Sequence, residues 1–226
     1  MANAPRIVRA GDPVAAASAL LAEAIAAADG RRGAARLAIP GGSALAALGP
    51  ARARVGAAWE RVRLTWVDER CVPFADAASN RGEAYRSGAL DAAHPPAAEL
   101  ALFLDGERGA QSVARAQRAL DEWFGGALDV LLLGMGEDGH VASLFPGWSA
   151  PHGARVAHVA ASPKPPPERI TLTRALLVTA GRAILLATGE DKRAALQRLA
   201  SGDAALPASG LPGLVAVTDL ALRGVA

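Results

Sequence analysis

Residues 128–147 read LDVLLLGMGEDGHVASLFPG, and the fold follows from how the two halves of this stretch differ. The first half, Leu128–Leu133, is a short apolar run that suits a strand buried on both faces of a sheet. The second half is rich in glycine and acid and reads as a loop at the carboxyl end of that strand. Working outward, the same pattern recurs. Apolar runs at Ala35–Ile39, Val62–Val67, Val156–Ala160, Ala183–Ala187 and Leu214–Val217 read as further strands. Helical patterns lie between and around them: Pro13–Ala28 behind an Asp12 cap, Ala110–Phe124, Thr173–Ala180 and Glu190–Ala200. This alternation predicts an α/β fold, a doubly wound, mostly parallel sheet flanked by helices. A chain of 226 residues, 51% hydrophobic, can build its core without disulfides or metals, and one domain over 1–226 is expected.

Composition narrows the function. Cys71 is the single cysteine, so there is no internal disulfide framework, and a reducing compartment is expected. The opening MANAPRIVRAGDP lacks an apolar signal core and no uninterrupted apolar run reaches about 18 residues, so we expect a cytoplasmic chain with no membrane partner. Net charge is only +2, the arginines are scattered and aromatics make up 4%. A basic stripe with interleaved aromatics is missing, which argues against nucleic acid as partner. His94, His152 and His158 fall into no HExxH or CxxC pattern, so no metal is predicted. Cys71 reads as a small apolar residue rather than a nucleophile. The GxSxG elbow of Ser-His-Asp hydrolases is absent.

In doubly wound sheets ligands bind at the carboxyl ends of strands. Four polar or glycine-rich segments follow candidate strands: PGGS at 40–43, DER at 68–70, GMGEDGH at 134–140 and TGEDK at 188–192. A fifth, PKPPPERIT at 163–171, is too proline-rich for a helix or central strand and reads as an ordered loop. Gly41, Gly42 and Ser43 can form either an anion cradle of free amides and a hydroxyl or an ordinary tight turn with a serine cap. Two cations favour the cradle. Lys192 is one of only two lysines, with Lys164, and opens a helix; Arg169 sits in the proline-rich loop. An ammonium and a guanidinium fork together suit a phosphate dianion.

Gly134–Gly139 matches GxGxxG literally, yet a dinucleotide site is rejected. Glu137 and Asp138 would put two carboxylates where a pyrophosphate must approach. No acid lies about 20 residues on, where the chain reads ARVAHV, and Pro146 and Gly147 would stop the required helix. No cofactor is predicted. The loop offers Asp138 and His140 two residues apart between glycines. A histidine, ordinarily titrating near about 6.5, can take a proton at neutral pH, and a carboxylate can orient its ring.

These segments, taken in order, form one pattern: GGS, DER, SN, GxGxDGHxASLFP, KPPPxRxT and TGxxK. The pattern resembles the 6-phosphogluconolactonase family, within the glucosamine-6-phosphate isomerase/6-phosphogluconolactonase superfamily, from about residue 35 to about residue 200. The resemblance implies a Rossmann-like domain, no cofactor and hydrolysis of 6-phospho-D-glucono-1,5-lactone, with the sugar-phosphate lactone as partner and a monomer expected. It also implies that Gly41, Gly42, Ser43, Arg169 and Lys192 hold the phosphate. Asp138, His140 and Arg70 would then lie at the reacting end, with Asp68 and Asn80 beside the substrate. Two departures stand out. The family often has serine or threonine before the two glycines and threonine-proline after the serine; here those positions are Pro40, Ala44 and Leu45. The related deaminases resemble GHxAFNEP, with a catalytic glutamate before the proline; here Phe145 fills that slot, and Arg70 stands where they tend to carry tyrosine. A phenylalanine cannot move protons, so the lactonase is favoured.

Overall fold

The computed structural model describes residues 5–224. The chain opens with β1 (Arg6–Arg9), α1 (Pro13–Arg32) and β2 (Ala35–Ile39). A 3₁₀ turn at Gly42–Ala47 leads into α2 (Leu48–Val55), then β3 (Val62–Trp66), β4 (Asp68–Arg70), α3 (Asn80–Arg86) and β5 (Ala98–Leu100). The second half holds α4 (Gly109–Phe124), β6 (Val130–Leu133), β7 (Val156–Val159), β8 (Arg169–Leu172), α5 (Arg174–Leu177) and β9 (Arg182–Leu186). A 3₁₀ turn at Glu190–Lys192, α6 (Arg193–Ala200) and β10 (Leu214–Thr218) complete it.

Seven strands form a parallel sheet in the order β1-β10-β9-β6-β2-β3-β5. From β2 the chain first builds outward through β3 and β5. It then returns to the other side of β2 with β6 and continues outward through β9 and β10. The winding therefore reverses between β2 and β6, and a crevice opens there at the carboxyl ends of the strands. β6 is buried along its whole length, as its apolar run predicts.

α1 begins where Asp12 Oδ1 accepts a hydrogen bond from the Ala15 N–H at 2.9 Å, with Pro13 at the first helical position. Against the expectation drawn from apolar runs, an 18-residue window of this helix, with Ser18 and Glu23 inside it, is apolar enough by length and composition to cross a membrane. Its apolar side is used otherwise: Ala17, Leu21, Ile25 and Ala28 are buried, and the helix packs on β2, β6, β9 and β10.

Two expectations change. Val156–Val159 is a strand, but it lies outside the parallel sheet, in a second, antiparallel sheet of order β4-β8-β7. Part of the segment expected as loop, Arg169–Leu172, is the central strand of that sheet; the prolines end at residue 167, so nothing blocks pairing beyond it. Val67 hinges the two sheets. Its N–H donates to Ile39 O in the large sheet, and its carbonyl accepts from the Leu172 N–H in the small one. The short edge strands β1 and β5 and the polar β4 carry too little apolar pattern to be read from sequence.

Candidate active site at the sheet switch point

The crevice between β2 and β6 is lined by Gly41–Ser43 after β2, by Asp68 and Arg70 of β4, by Asn80 and by Gly134–Gly136 after β6. His140, Ala142, Arg169 and Lys192 complete its wall. The space between them is open to solvent, and its wall is mostly polar. Nine of the ten residues singled out from the sequence therefore face one cleft. The tenth, Asp138, stands behind His140.

The loop after β6 is folded on itself. Gly136 N–H donates to His140 O at 2.9 Å, and Gly139 N–H donates to Gly136 O at 3.0 Å. This coil brings His140 Nδ1 within 2.5 Å of Asp138 Oδ1. Burial acts to raise the Asp138 carboxyl, but hydrogen bonds from the His140 ring and backbone outweigh it and hold the group below the usual carboxylate range. Asp138 is thus an anion at neutral pH, and its carboxylate accepts from Nδ1–H. Nε2 makes no hydrogen bond among the described residues. Glu137, the acid next to Asp138, points elsewhere and accepts from Lys164 Nζ at 2.9 Å.

Phe145 packs against the His140 ring with centroids 4.5 Å apart, while the Arg169 guanidinium carbon lies 5.4 Å from the same phenyl centroid. One buried ring therefore spaces the imidazole from the guanidinium. Arg169 is 4% exposed and held from behind by the carbonyls of Lys164, Pro165 and Pro166. Burial pulls its pKa down, and Asp68, with Oδ2 at 3.6 Å from Nη1, partly offsets this. Asp68 in turn accepts from Ser143 Oγ at 2.6 Å and from Asn80 Nδ2 at 3.1 Å. Arg70 donates from Nη1 to Ala78 O at 2.7 Å, while its buried Nε has no partner among the described residues. Lys192 Nζ rests 2.7 Å from Asp191.

Gly41 must be glycine for a local reason. A methyl there would lie 1.9 Å from Asn80 Oδ1, so the loop and α3 touch backbone to side chain. Asn80 is itself fixed, because Glu69 accepts from the N–H groups of Arg70, Asn80 and Arg81, each at 2.7 Å. Burial pushes the Glu69 carboxyl up, and those three donors act to lower it.

Sequence reading missed several contributors. Glu83 Oε2 accepts from the Gly42 N–H at 2.9 Å, so a carboxylate already occupies this amide of the loop. No spacing rule signals this contact, which depends on how α3 packs on the loop. Ala142 sits at φ 52°, a left-handed conformation unusual for a residue with a Cβ, directly in the cleft wall. Ser143 lay inside the quoted loop, but its bond to Asp68, 75 residues away, is visible only in three dimensions.

Fold and cleft together define a doubly wound α/β protein whose switch-point crevice combines a carboxylate-oriented imidazole with cationic and amide donors. The chain belongs to the family of glucosamine-6-phosphate isomerases and 6-phosphogluconolactonases, whose model matches residues 10–217. Among relatives, the 6-phosphogluconolactonase of Rattus norvegicus is 39% identical over 196 residues, covering 80% of this chain and 75% of that protein. The 6-phosphogluconolactonase of Streptomyces coelicolor is 37% identical over 218 residues, covering 88% and 83%. The crystal structure of a 6-phosphogluconolactonase from Shewanella baltica superposes with a TM-score of 0.78 at 25% identity, covering 96% of this chain and 98% of that one. A monomeric glucosamine-6-phosphate deaminase shares the fold alone, with a TM-score of 0.74 at 17% identity.

Proposed function

We propose that this family member, an enzyme, hydrolyses 6-phospho-D-glucono-1,5-lactone to 6-phospho-D-gluconate, with His140 as general base, in the cytoplasm and without a metal or nucleotide cofactor. One observation carries the reading: the imidazole held by Asp138 opens the same crevice as Gly41–Ser43, Arg169 and Lys192. In this mechanism the phosphate displaces Glu83 from the Gly42 amide and is gripped by that loop, Arg169 and Lys192. The grip fixes the lactone carbonyl beside His140, and its value is orientation. His140 Nε2 takes a proton from water as the water oxygen bonds to the carbonyl carbon. The charge that grows on the carbonyl oxygen is met by the unpaired donors of Arg70 or by amides of the glycine loop. Collapse breaks the bond to the ring oxygen, which receives the proton from His140, and the new acid ionises to carboxylate. Asp138 stabilises the imidazolium between the two transfers.

Phe145 favours the lactonase over the deaminase, since it fills the slot of the deaminase glutamate with a buried ring that cannot shuttle protons. The test is a coupled assay at slightly acidic pH, where the lactone opens slowly unaided, run on the phospholactone and on glucosamine 6-phosphate. Turnover of the lactone alone is expected, and His140→Ala should lower kcat about a hundredfold or more. Wild-type turnover by that variant would remove His140 from its role. Lactone binding with no acceleration above buffer would make the protein a sugar-phosphate sensor instead.

A further inference from the structure

Strand alternation gives the small sheet two functional faces. Arg70 of β4 pairs with Arg169 of β8, and both line the catalytic cleft. One residue further along, the Cys71 N–H donates to Glu168 O at 3.0 Å, which continues the ladder and turns both of these side chains to the opposite face. His158 of β7 pairs with Ile170, two residues on from Glu168, and so joins them there. The result is a thiol, an imidazole and a carboxylate whose ligand atoms all lie within 4.8 Å of one another.

We propose that Cys71, His158 and Glu168 bind a zinc-class divalent cation on the back of the sheet that carries the active-site arginines. The donor set is one that zinc and its neighbours accept, with a fourth position left for water. His158 Nε2 and Glu168 Oε2 are 3.3 Å apart, close to the spacing of two ligands around one tetrahedral ion. The His158 Nε2 atom is shielded from solvent and faces Glu168 at that distance without an aligned hydrogen bond, a geometry that a shared cation would satisfy. Its ring is wedged against Gly109, where a methyl would lie 2.6 Å from ring atoms, so it cannot swing away freely. Glu168 is exposed and can close the last distance by a side-chain rotation. Burial, with Glu168 and Glu69 adding to it, pushes the Cys71 thiol up to about 12, so the metal-free group keeps its proton. A dication reverses that balance: the metal–sulfur bond forms and one proton leaves to solvent.

Cobalt(II) chloride is the probe, titrated into the full-length chain after chelator treatment, with zinc chloride as competitor. One cobalt ion should bind, giving thiolate-to-cobalt absorption in the near ultraviolet and the visible bands of a four-coordinate ion, both erased by zinc. Cys71→Ser should abolish the ultraviolet band, and Cys71→Ser and His158→Gln should each weaken uptake tenfold or more. His140→Ala should bind cobalt as wild type does. Thermal unfolding of each metal-free variant, matched to wild type, verifies that loss of binding is not loss of fold. The site is overturned if wild type shows no thiolate band, if the band survives Cys71→Ser, or if uptake fails in His140→Ala but not in His158→Gln. None of these readouts uses lactone turnover, so they stand or fall apart from the proposed reaction.

Discussion

At the scale of single residues, the geometry of the Asp138–His140 pair rests on an absent side chain. A methyl built on Gly136 would lie 2.1 Å from His140 Nδ1 and 2.6 Å from Asp138 Oδ1. Gly136→Ala therefore cannot coexist with the pair as it stands. We expect kcat to fall about tenfold to a hundredfold, as for a displaced general base, with the unfolding temperature close to wild type because the loop lies at the surface of the cleft. Steady-state kinetics beside a thermal melt would separate the two effects. Unaltered kcat would mean that the ring can work from another position. Asp138, Gly136 and His140 were all in view in the sequence. Which acid faces the ring was not, because Asp138 and Glu137 are neighbours and only the coil of the loop sends Glu137 to Lys164.

At the scale of elements, the entrance to α4 shows how polar groups fix the start of a helix. Glu107 accepts from Arg115 Nε at 2.6 Å and Nη2 at 2.8 Å, from Ser112 Oγ at 2.7 Å and from the Leu104 N–H at 3.2 Å. The Arg115 hydrogen bonds dominate, over an opposing burial effect, and the carboxyl falls from 4.5 to about 2. A depressed folded-state pKa adds stability that is fully present above the unfolded value and fades as pH drops through the folded one. Glu107→Gln should cost about 1 kcal/mol at pH 7, allowing for solvent screening of a partly exposed pair, and the gap should close between about pH 4.5 and about pH 2. Urea unfolding of both proteins across that range tests it. An effect independent of pH would show that packing, not charge, is at work. The strands tell the same story about legibility. β6, β9 and β10 were readable because burial on both faces demands nearly continuous apolar runs, and β2 and β3 because only Arg36, Arg63 and Thr65 interrupt theirs. β4 was not, because its three residues serve the cleft and the clamp of α3 rather than a core.

Across the whole molecule, the two ends of the parallel sheet do different work. At the amino ends, Asp129 accepts from Arg36 Nε and Nη2, both at 2.8 Å, and from the Arg36 N–H at 3.1 Å. Its carbonyl also takes the N–H groups of Gly181 and Arg182, so one residue ties the starts of β2, β6 and β9. Asp129→Leu would strand a guanidinium that is only 14% exposed. A loss of about 2–3 kcal/mol in stability is expected, with kcat/KM of the folded fraction unchanged, by chemical unfolding and kinetics on the same sample. A catalytic defect would reveal coupling between the two ends. At the carboxyl ends, Arg169 and Lys192 reach the cleft from β8 and from the turn after β9. Arg169→Ala and Lys192→Ala should each raise KM about tenfold or more with smaller effects on kcat; unchanged KM in both would move the phosphate elsewhere.

Apolar runs, helix spacing and the glycine-rich segments after strands determined, from the sequence alone, the sheet class and the segments that meet at the carboxyl ends of its strands, while Asn80 entered only through the family resemblance. These are local properties: a strand buried on both faces must be apolar, and backbone that approaches a ligand must lack side chains. The three-dimensional structure alone decided the split into two sheets at Val67, the carboxylate of Glu83 on the Gly42 amide and the meeting of Cys71, His158 and Glu168. Each depends on pairing between segments distant in the chain. The side chains involved do not differ in composition from ordinary surface residues, and only strand register or, for Glu83, the packing of α3 on the loop makes them neighbours.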